Sequence, residues 1–207
     1  MTAETALRRE SPRSKRTLIL ATAIDQFGKL GYEHTKWASI ADEVGIGQTA
    51  LYHYFESKAH CLLTIMRLEL ADSLERVTVA TEGDSDPTKA LRAAIVVSLK
   101  ASPRDALQRR ILQSHMDLLA AERQSEKEES ERLKSRELVQ AIEEKWTALI
   151  ASGIKEGVFA DSDPRLMGRL VLALVISVWR WYRPDGKLSL TEIAERVTDA
   201  ALRMVCA

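Results

Sequence analysis

Ile40-Ala-Asp-Glu-Val-Gly-Ile-Gly-Gln-Thr-Ala-Leu-Tyr-His-Tyr-Phe-Glu-Ser-Lys58 is the stretch on which the rest of the chain turns. Ile40, Ala41 and Val44 fall at i, i+1 and i+4 and make one apolar helical face. Gly45 follows, where a chain leaving a helix often needs positive φ. Ile46 is an apolar turn residue placed to pack between two helices. Gly47 occupies the expected N-cap of the next helix, where Ser or Thr would cap more strongly. Ala50 and Leu51 continue the inward face, and Gln48, Thr49, Tyr52 and His53 are left to face outward. Two short helices joined by a glycine turn make the helix-turn-helix that reads DNA.

The flanks extend the pattern. Ile19-Leu-Ala-Thr-Ala-Ile-Asp-Gln-Phe-Gly-Lys-Leu-Gly-Tyr32 reads as an amphipathic helix closed by Gly31. Thr35 precedes the helix pair, and Leu51-Tyr-His-Tyr-Phe-Glu-Ser-Lys58 opens a further long helix. Residues 16–63 resemble the DNA-binding domain of the TetR family of transcriptional regulators. The resemblance rests on Ile19, Leu20, Ala23 and Phe27, on Gly31-Tyr32 and Thr35, on Ile40-Ala41 and Gly45-Ile46, and on Leu51-Tyr52, Tyr54-Phe55 and Ser57-Lys58. Four positions depart from the family pattern. Gly47 stands where Ser or Thr is usual, Thr49 where Gly is, Gln26 where an apolar residue is common, and Ser39 where an acidic capping residue is.

The resemblance implies a third helix over about Gln48–Tyr54 lying in the major groove of a double-stranded DNA operator. Gln48 and Thr49 then read base edges; Gln bonds adenine through two hydrogen bonds, and the Thr methyl meets a thymine methyl. Tyr52 and Lys58 match positions that hold phosphates, Lys36 is a further phosphate candidate, and His53 is open to either role or to neither. Ser57 is expected to cap the fourth helix. Arg8, Arg9, Arg13, Lys15 and Arg16, against Glu4 and Glu10, read as a basic arm over residues 1–15, either following the DNA or simply solvated.

Charge limits the electrostatic case. The first 60 residues hold eight Lys/Arg against seven Asp/Glu, and the whole chain has 30 of each. Binding must rest on a few well-placed cations and not on a general field. No apolar run reaches the roughly 18 residues of a membrane span; the longest, Leu170–Trp179, contains Ser177. With a polar, charged N-terminus, the expectation is a cytoplasmic protein that touches no membrane. Cys61 and Cys206 lie far apart without metal-ligand neighbours and read as free thiols.

Residues 63–207 read as helix throughout, so the fold class is all-α: a three-helix DNA-binding domain over 16–62, then a helical-bundle regulatory and dimerisation domain. The fourth helix runs from Lys58 to about Ala80, and Gly83–Pro87 breaks it. Pro87–Lys100 is a fifth and Pro103 starts a sixth. Glu122–Lys134, dense in charge, reads as a solvated helix start or a mobile loop. A long helix then ends at Gly153 or Gly157, and Asp163-Pro164 opens the next. Arg165–Tyr182 is apolar round most of its circumference, which predicts burial on several sides. Ser189 and Glu192 form the capping box of a last helix, Leu190–Val205. No phosphate loop, dinucleotide fingerprint, zinc-protease motif or nucleophile elbow is present. His34, His53, His60 and His115 form no ligand cluster, so neither catalytic nor metal-binding residues are expected, and no cofactor.

The family resemblance adds that Arg165–Tyr182 and Leu190–Val205 pair with a second copy into a homodimer, and that a small-molecule effector sits in the helical domain and moves the fourth helix. Ile65, Met66, Glu69 and Leu70 on that helix, with His115, Met116 and Trp146, are candidates to line the cavity, or else are core. Trp179-Arg-Trp-Tyr-Arg-Pro-Asp-Gly186 is similar to a segment of family members that govern lipid and sterol catabolism, several responding to acyl-CoA thioesters. In that subgroup an arginine matching Arg180 meets the ligand; here Arg169, Ala173, Ile176 and Arg180 lie at helical spacing. The same arginines are open, and more readily, to ion pairs with Glu143, Asp185 or another carboxylate across the interface. An efflux-pump repressor sensing an apolar drug-like molecule, and an all-α binding protein that no longer reads DNA, are the alternatives.

Overall fold

The computed structural model describes residues 12–206. Among them are nine α-helices and one 3-10 turn: α1 (Pro12–Leu30), α2 (Trp37–Val44), α3 (Gln48–Tyr54), α4 (Lys58–Ala80), α5 (Pro87–Leu99), α6 (Pro103–Ser114), the turn Met116–Leu119, α7 (Glu126–Lys155), α8 (Pro164–Trp181) and α9 (Leu190–Val205). The chain divides into two compact units, Met1–Leu62 and Leu63–Ala207.

The first unit closes over a small core. Ile19, Ala23 and Phe27 stand one turn apart on α1 and meet Ile40 and Ala41 of α2, Leu51 of α3 and Phe55; all are buried. Each large side chain so buried contributes about 1.5–3 kcal/mol. Gly45 takes φ 71°, ψ 41°, and this left-handed step ends α2 and lets Gly45 N–H and Ile46 N–H return to the carbonyls of Asp42 and Ala41. Gly47 is extended at φ −67°, ψ 150° and caps α3 without a side-chain bond.

Helix α1 begins at Pro12. Lys15 and Arg16, expected in the basic arm, therefore belong to a helix. Arg16 lays its guanidinium over the Phe55 ring, 4.3 Å from the centroid. Arg8 and Arg9 lie outside the described residues.

In the second unit, α8 packs along α7, α9 along α5, and α6 against α8. Side-chain caps set most starts: Asp86 for α5, Ser102 with Asp105 for α6, Ser125 for α7, Asp163 for α8, and Ser189 with Glu192 for α9. Helix α7 runs past Gly153, which is an interior position: a Cβ there would stand 2.0 Å from the Phe159 ring. Its missing side chain lets buried Phe159 fold back against the helix.

Two expectations change in this unit. Residues 122–125 of the Glu122–Lys134 stretch are loop and the rest is the start of α7, but that start is not simply solvated. Glu128, Arg132 and Ser135 are buried. Arg132 donates to Glu129 and to the Leu119 carbonyl at 3.0 Å, Arg123 Nε donates to Glu128 at 3.0 Å, and Arg67 of α4 donates to Glu131 at 2.5 Å. The charges pair with one another, which is why they tolerate burial. Helix α8, for its part, buries only the row containing Val171, Val175, Val178 and Trp179 within one chain. Leu166, Leu170 and Trp181 are exposed.

Candidate nucleic-acid interface and effector cavity

In the first unit, α3 is held by Leu51, which has no exposed surface, so that Gln48, Thr49, Tyr52 and His53 all stand exposed on the outer side. Lys36, also exposed, forms the N-cap of α2. Ser57 Oγ accepts from His60 N–H at 2.8 Å, which caps the start of α4. The sequence-predicted reading residues thus share one helix face with their polar groups free of the core.

Lys58 does not join that face. Its ammonium donates to the carbonyls of Tyr32 at 2.7 Å, Thr35 at 3.0 Å and Glu33 at 3.4 Å, and sits 4.2 Å from the centre of the Tyr32 ring. All three of its protons are taken up by the turn between α1 and α2. Here Lys58 acts as a cation satisfying carbonyls left over at a helix end.

The second unit holds a cavity of about 210 Å3 bounded by α4, α6, α7 and α8. Its walls are mostly apolar, with Leu112, Met116, Ile142, Trp146, Val175 and Trp179 prominent. Two charged side chains, Glu69 and Arg109, face it while only 5% exposed. Arg109 Nε donates to Glu69 Oε1 at 3.0 Å, and its Nη1 donates to the carbonyls of Ser98 and Lys100, both at 3.0 Å. The guanidinium lies over Trp179, 4.8 Å from the ring centre. Arg76 donates to the same Glu69 oxygen at 3.2 Å and pairs with Asp72. Burial and the neighbouring Arg109 charge push the Arg76 pKa down. Among the described residues no cluster of three or more His, Cys, Asp or Glu is placed to hold a metal ion, and no helix is long and apolar enough to cross a membrane.

The family model for bacterial regulatory proteins of the tetR family matches residues 19–65, and that for the tetracyclin repressor-like C-terminal domain matches residues 84–205. The chain belongs to the TetR family. It is a DNA-binding transcriptional regulator. It is 28% identical over 190 residues to the transcriptional repressor KstR2 of Rhodococcus jostii, covering 91% of this chain and 89% of that protein. It is 31% identical over 199 residues to the regulator RutR of Escherichia coli K12, covering 96% and 85%. The structure of AibR in complex with isovaleryl coenzyme A and operator DNA superposes with a TM-score of 0.73 over 93% of this chain and 98% of that one. At 21% identity that likeness speaks for the fold alone.

Within this TetR-family frame, two of the four departures from the family pattern answer each other. Ser39 Oγ lies 2.8 Å from Gln26 Oε1, and Gln26 Nε2 donates to Glu43 at 2.6 Å. A polar clasp thus joins α1 to α2. The other two, Gly47 and Thr49, stand on the exposed side of α3 and disturb no packing.

Of the residues expected to meet an effector, Glu69, Met116, Trp146 and Ile176 line the cavity. Met66 does not, being fully buried in the core. Nor does His115, whose Nδ1 is 2.7 Å from the Ile111 carbonyl at the end of α6. Arg180 is exposed on α8, outside the cavity; the inner row of α8 passes through Val175 and Trp179, one residue short of it. Arg169 takes the structural option and pairs with Glu143 at 2.8 Å. Arg76 and Arg109 escaped the sequence reading. The available signal was Arg109 in register with Ala106 and Leu112, a charge on the buried row of its helix.

Proposed function

We propose that this regulator is a homodimeric repressor released by a small effector. The carrying observation is the outward row of α3, where Gln48, Thr49, Tyr52 and His53 stand exposed on a helix anchored by buried Leu51. Gln48 and Thr49 read base edges in the major groove, while Tyr52, Lys36 and His53 meet the backbone. Dimerisation through Arg165–Tyr182 and Leu190–Val205 is supported by the exposed Leu166, Leu170 and Trp181 of α8 and Met204 of α9. Such an apolar face on otherwise packed helices suits a partner of the same kind. Two copies then present their α3 helices to half-sites about 34–36 Å apart on an imperfect palindrome.

The effector occupies the α4–α6–α7–α8 cavity, and α4, which supplies Glu69, transmits its arrival. An acyl-CoA or another lipid-derived molecule fits the mainly apolar walls. At about 210 Å3 the cavity takes the apolar body of such a molecule, and a nucleotide would remain outside. Pockets for drug-sized ligands commonly span about 300–1,000 Å3.

Selection of bound sequences from a random duplex pool at near-physiological salt tests the reading. A palindrome with half-sites one turn apart, lost when a CoA thioester mixture is added, is the expected result. Enrichment of a lone half-site would overturn the dimeric reading. Gln48→Ala should relax preference at one base pair by about 1–3 kcal/mol. An equal loss at every base pair would remove Gln48 from the base-reading role.

A further inference from the structure

The charges inside the cavity say more about the ligand than its apolar walls do. Glu69 Oε1 is fully engaged, accepting from Arg109 Nε and Arg76 Nη2. Glu69 Oε2 and Arg109 Nη2 bond to no described residue. Neither is sealed in: of the polar atoms in the side chains of Glu69, Arg76 and Arg109, only Arg76 Nε is both buried and without a partner. Both residues line the cavity and are otherwise 5% exposed, so the space open to these two atoms is the cavity itself. Glu143, which also lines it, is 33% exposed and bonded to Arg169, which marks the more open side. The cavity lining therefore includes one unbonded acceptor and one unbonded donor edge, carried by the two members of one ion pair.

Charge decides what can satisfy them. Glu69 answers Arg109, and Asp72 answers Arg76. Asp105 also acts on both arginines, so neither cation is left unanswered, and a charged ligand would bring an unmatched charge into a mainly apolar space at high cost. A hydrocarbon would leave both edges without the water they would otherwise hold. We propose that the Glu69–Arg109 pair in this cavity recognises a neutral group that both donates and accepts a hydrogen bond, an amide or a hydroxyl, carried at the inner end of a compact apolar body. The donor of that group meets Glu69 Oε2, and its acceptor meets Arg109 Nη2. This rests on the cavity being the effector site and narrows the lipid-derived effector proposed above: the apolar body that enters carries such a neutral polar group at its inner end and is neither plain hydrocarbon nor an ion there.

Four probes on one skeleton test this with the full chain at neutral pH: cyclohexanecarboxamide, cyclohexanecarboxylate, cyclohexylammonium and methylcyclohexane. Binding is read from the fluorescence of Trp146 and Trp179, which line the cavity, and from the thermal midpoint. The carboxamide should bind about tenfold tighter than each of the others, the factor expected from one net hydrogen bond. A carboxylate, ammonium or hydrocarbon that binds as well as the amide would overturn the proposal, and so would no binding by any of them. Glu69→Gln should reverse the order, the carboxylate overtaking the carboxamide, because the balancing negative charge is gone. If that variant does not fold, the ranking on the unaltered chain still decides. Operator selection without probes separates the two readings. Operator binding retained with the wrong ranking sinks only the ligand chemistry; the right ranking with no operator sinks only the regulator.

Discussion

The two units of this regulator use polar side chains in opposite directions. In the first, an almost wholly apolar core holds a short helix so that Gln48, Thr49, Tyr52 and His53 project outward. In the second, charged side chains turn inward: Glu69 and Arg109 meet inside a cavity, and Glu128 and Arg132 are buried in the first turns of α7. An outward polar residue costs nothing until its ligand arrives. An inward one must be paired from the moment of folding, and so its partners are part of the architecture. The lesson is that function in the first unit is separable from stability, whereas in the second the two share residues.

That contrast is open to attack at its strongest point. Arg109→Leu leaves Glu69 facing a single arginine and removes the donor to the Ser98 and Lys100 carbonyls. The expected loss is about 3–5 kcal/mol, the usual cost of breaking a buried pair by removing one member. Urea unfolding followed by tryptophan fluorescence measures it. A loss below about 1 kcal/mol would mean that the pair is dispensable to the fold and that the two units differ less than their burial suggests.

Lys58 is the exception in the first unit, a cation turned inward there, and it sharpens the comparison. Lys58→Met should cost about 1.5–3 kcal/mol of stability, the range for hydrogen bonds made by a charged group. It should leave the salt dependence of operator binding unchanged, since a lysine that holds no phosphate releases no counterion. A salt slope smaller by about one would return Lys58 to the DNA and weaken the structural assignment.

The smallest effect concerns Glu129. Its carboxyl is pulled from 4.5 to about 2 by the side-chain bond from Arg132, helped by Arg123 N–H. A depressed carboxyl pKa lends stability above its ordinary value and loses it as pH falls through the folded one. The stability gap between the unaltered chain and Glu129→Gln should be constant above pH 4.5 and shrink as pH falls toward about 2. Glu129 is only part-buried and its pair with Arg132 is local to one helix turn, so the gap should be small. A gap that stays flat on acidification would detach Glu129 from Arg132 in solution.

Much of the fold was legible in the order of residues because its punctuation is local. Asp163-Pro164 and Ser189 with Glu192 set helix starts through bonds no more than three positions long. Gly45 marks its own left-handed turn by lacking a side chain. The reading face of α3 was legible for the same reason, since Leu51 facing in requires Gln48, Thr49, Tyr52 and His53 to face out. The cavity was half legible. Glu69, Met116, Trp146 and Ile176 were reached through the family resemblance and helix position, which place a residue on an element without saying what its face meets. Arg180, Met66 and His115 lie outside this cavity's lining for that reason.

The sequence by itself determined the helices, their caps, the helix-turn-helix and the family, all of which depend on neighbours within a turn or two. Only the tertiary structure decided that Lys58 binds carbonyls 26 and 23 positions away and that Arg109 reaches Glu69 across 40. A charged side chain takes its meaning from its partner, and no local pattern supplies a partner brought near only when the helices pack.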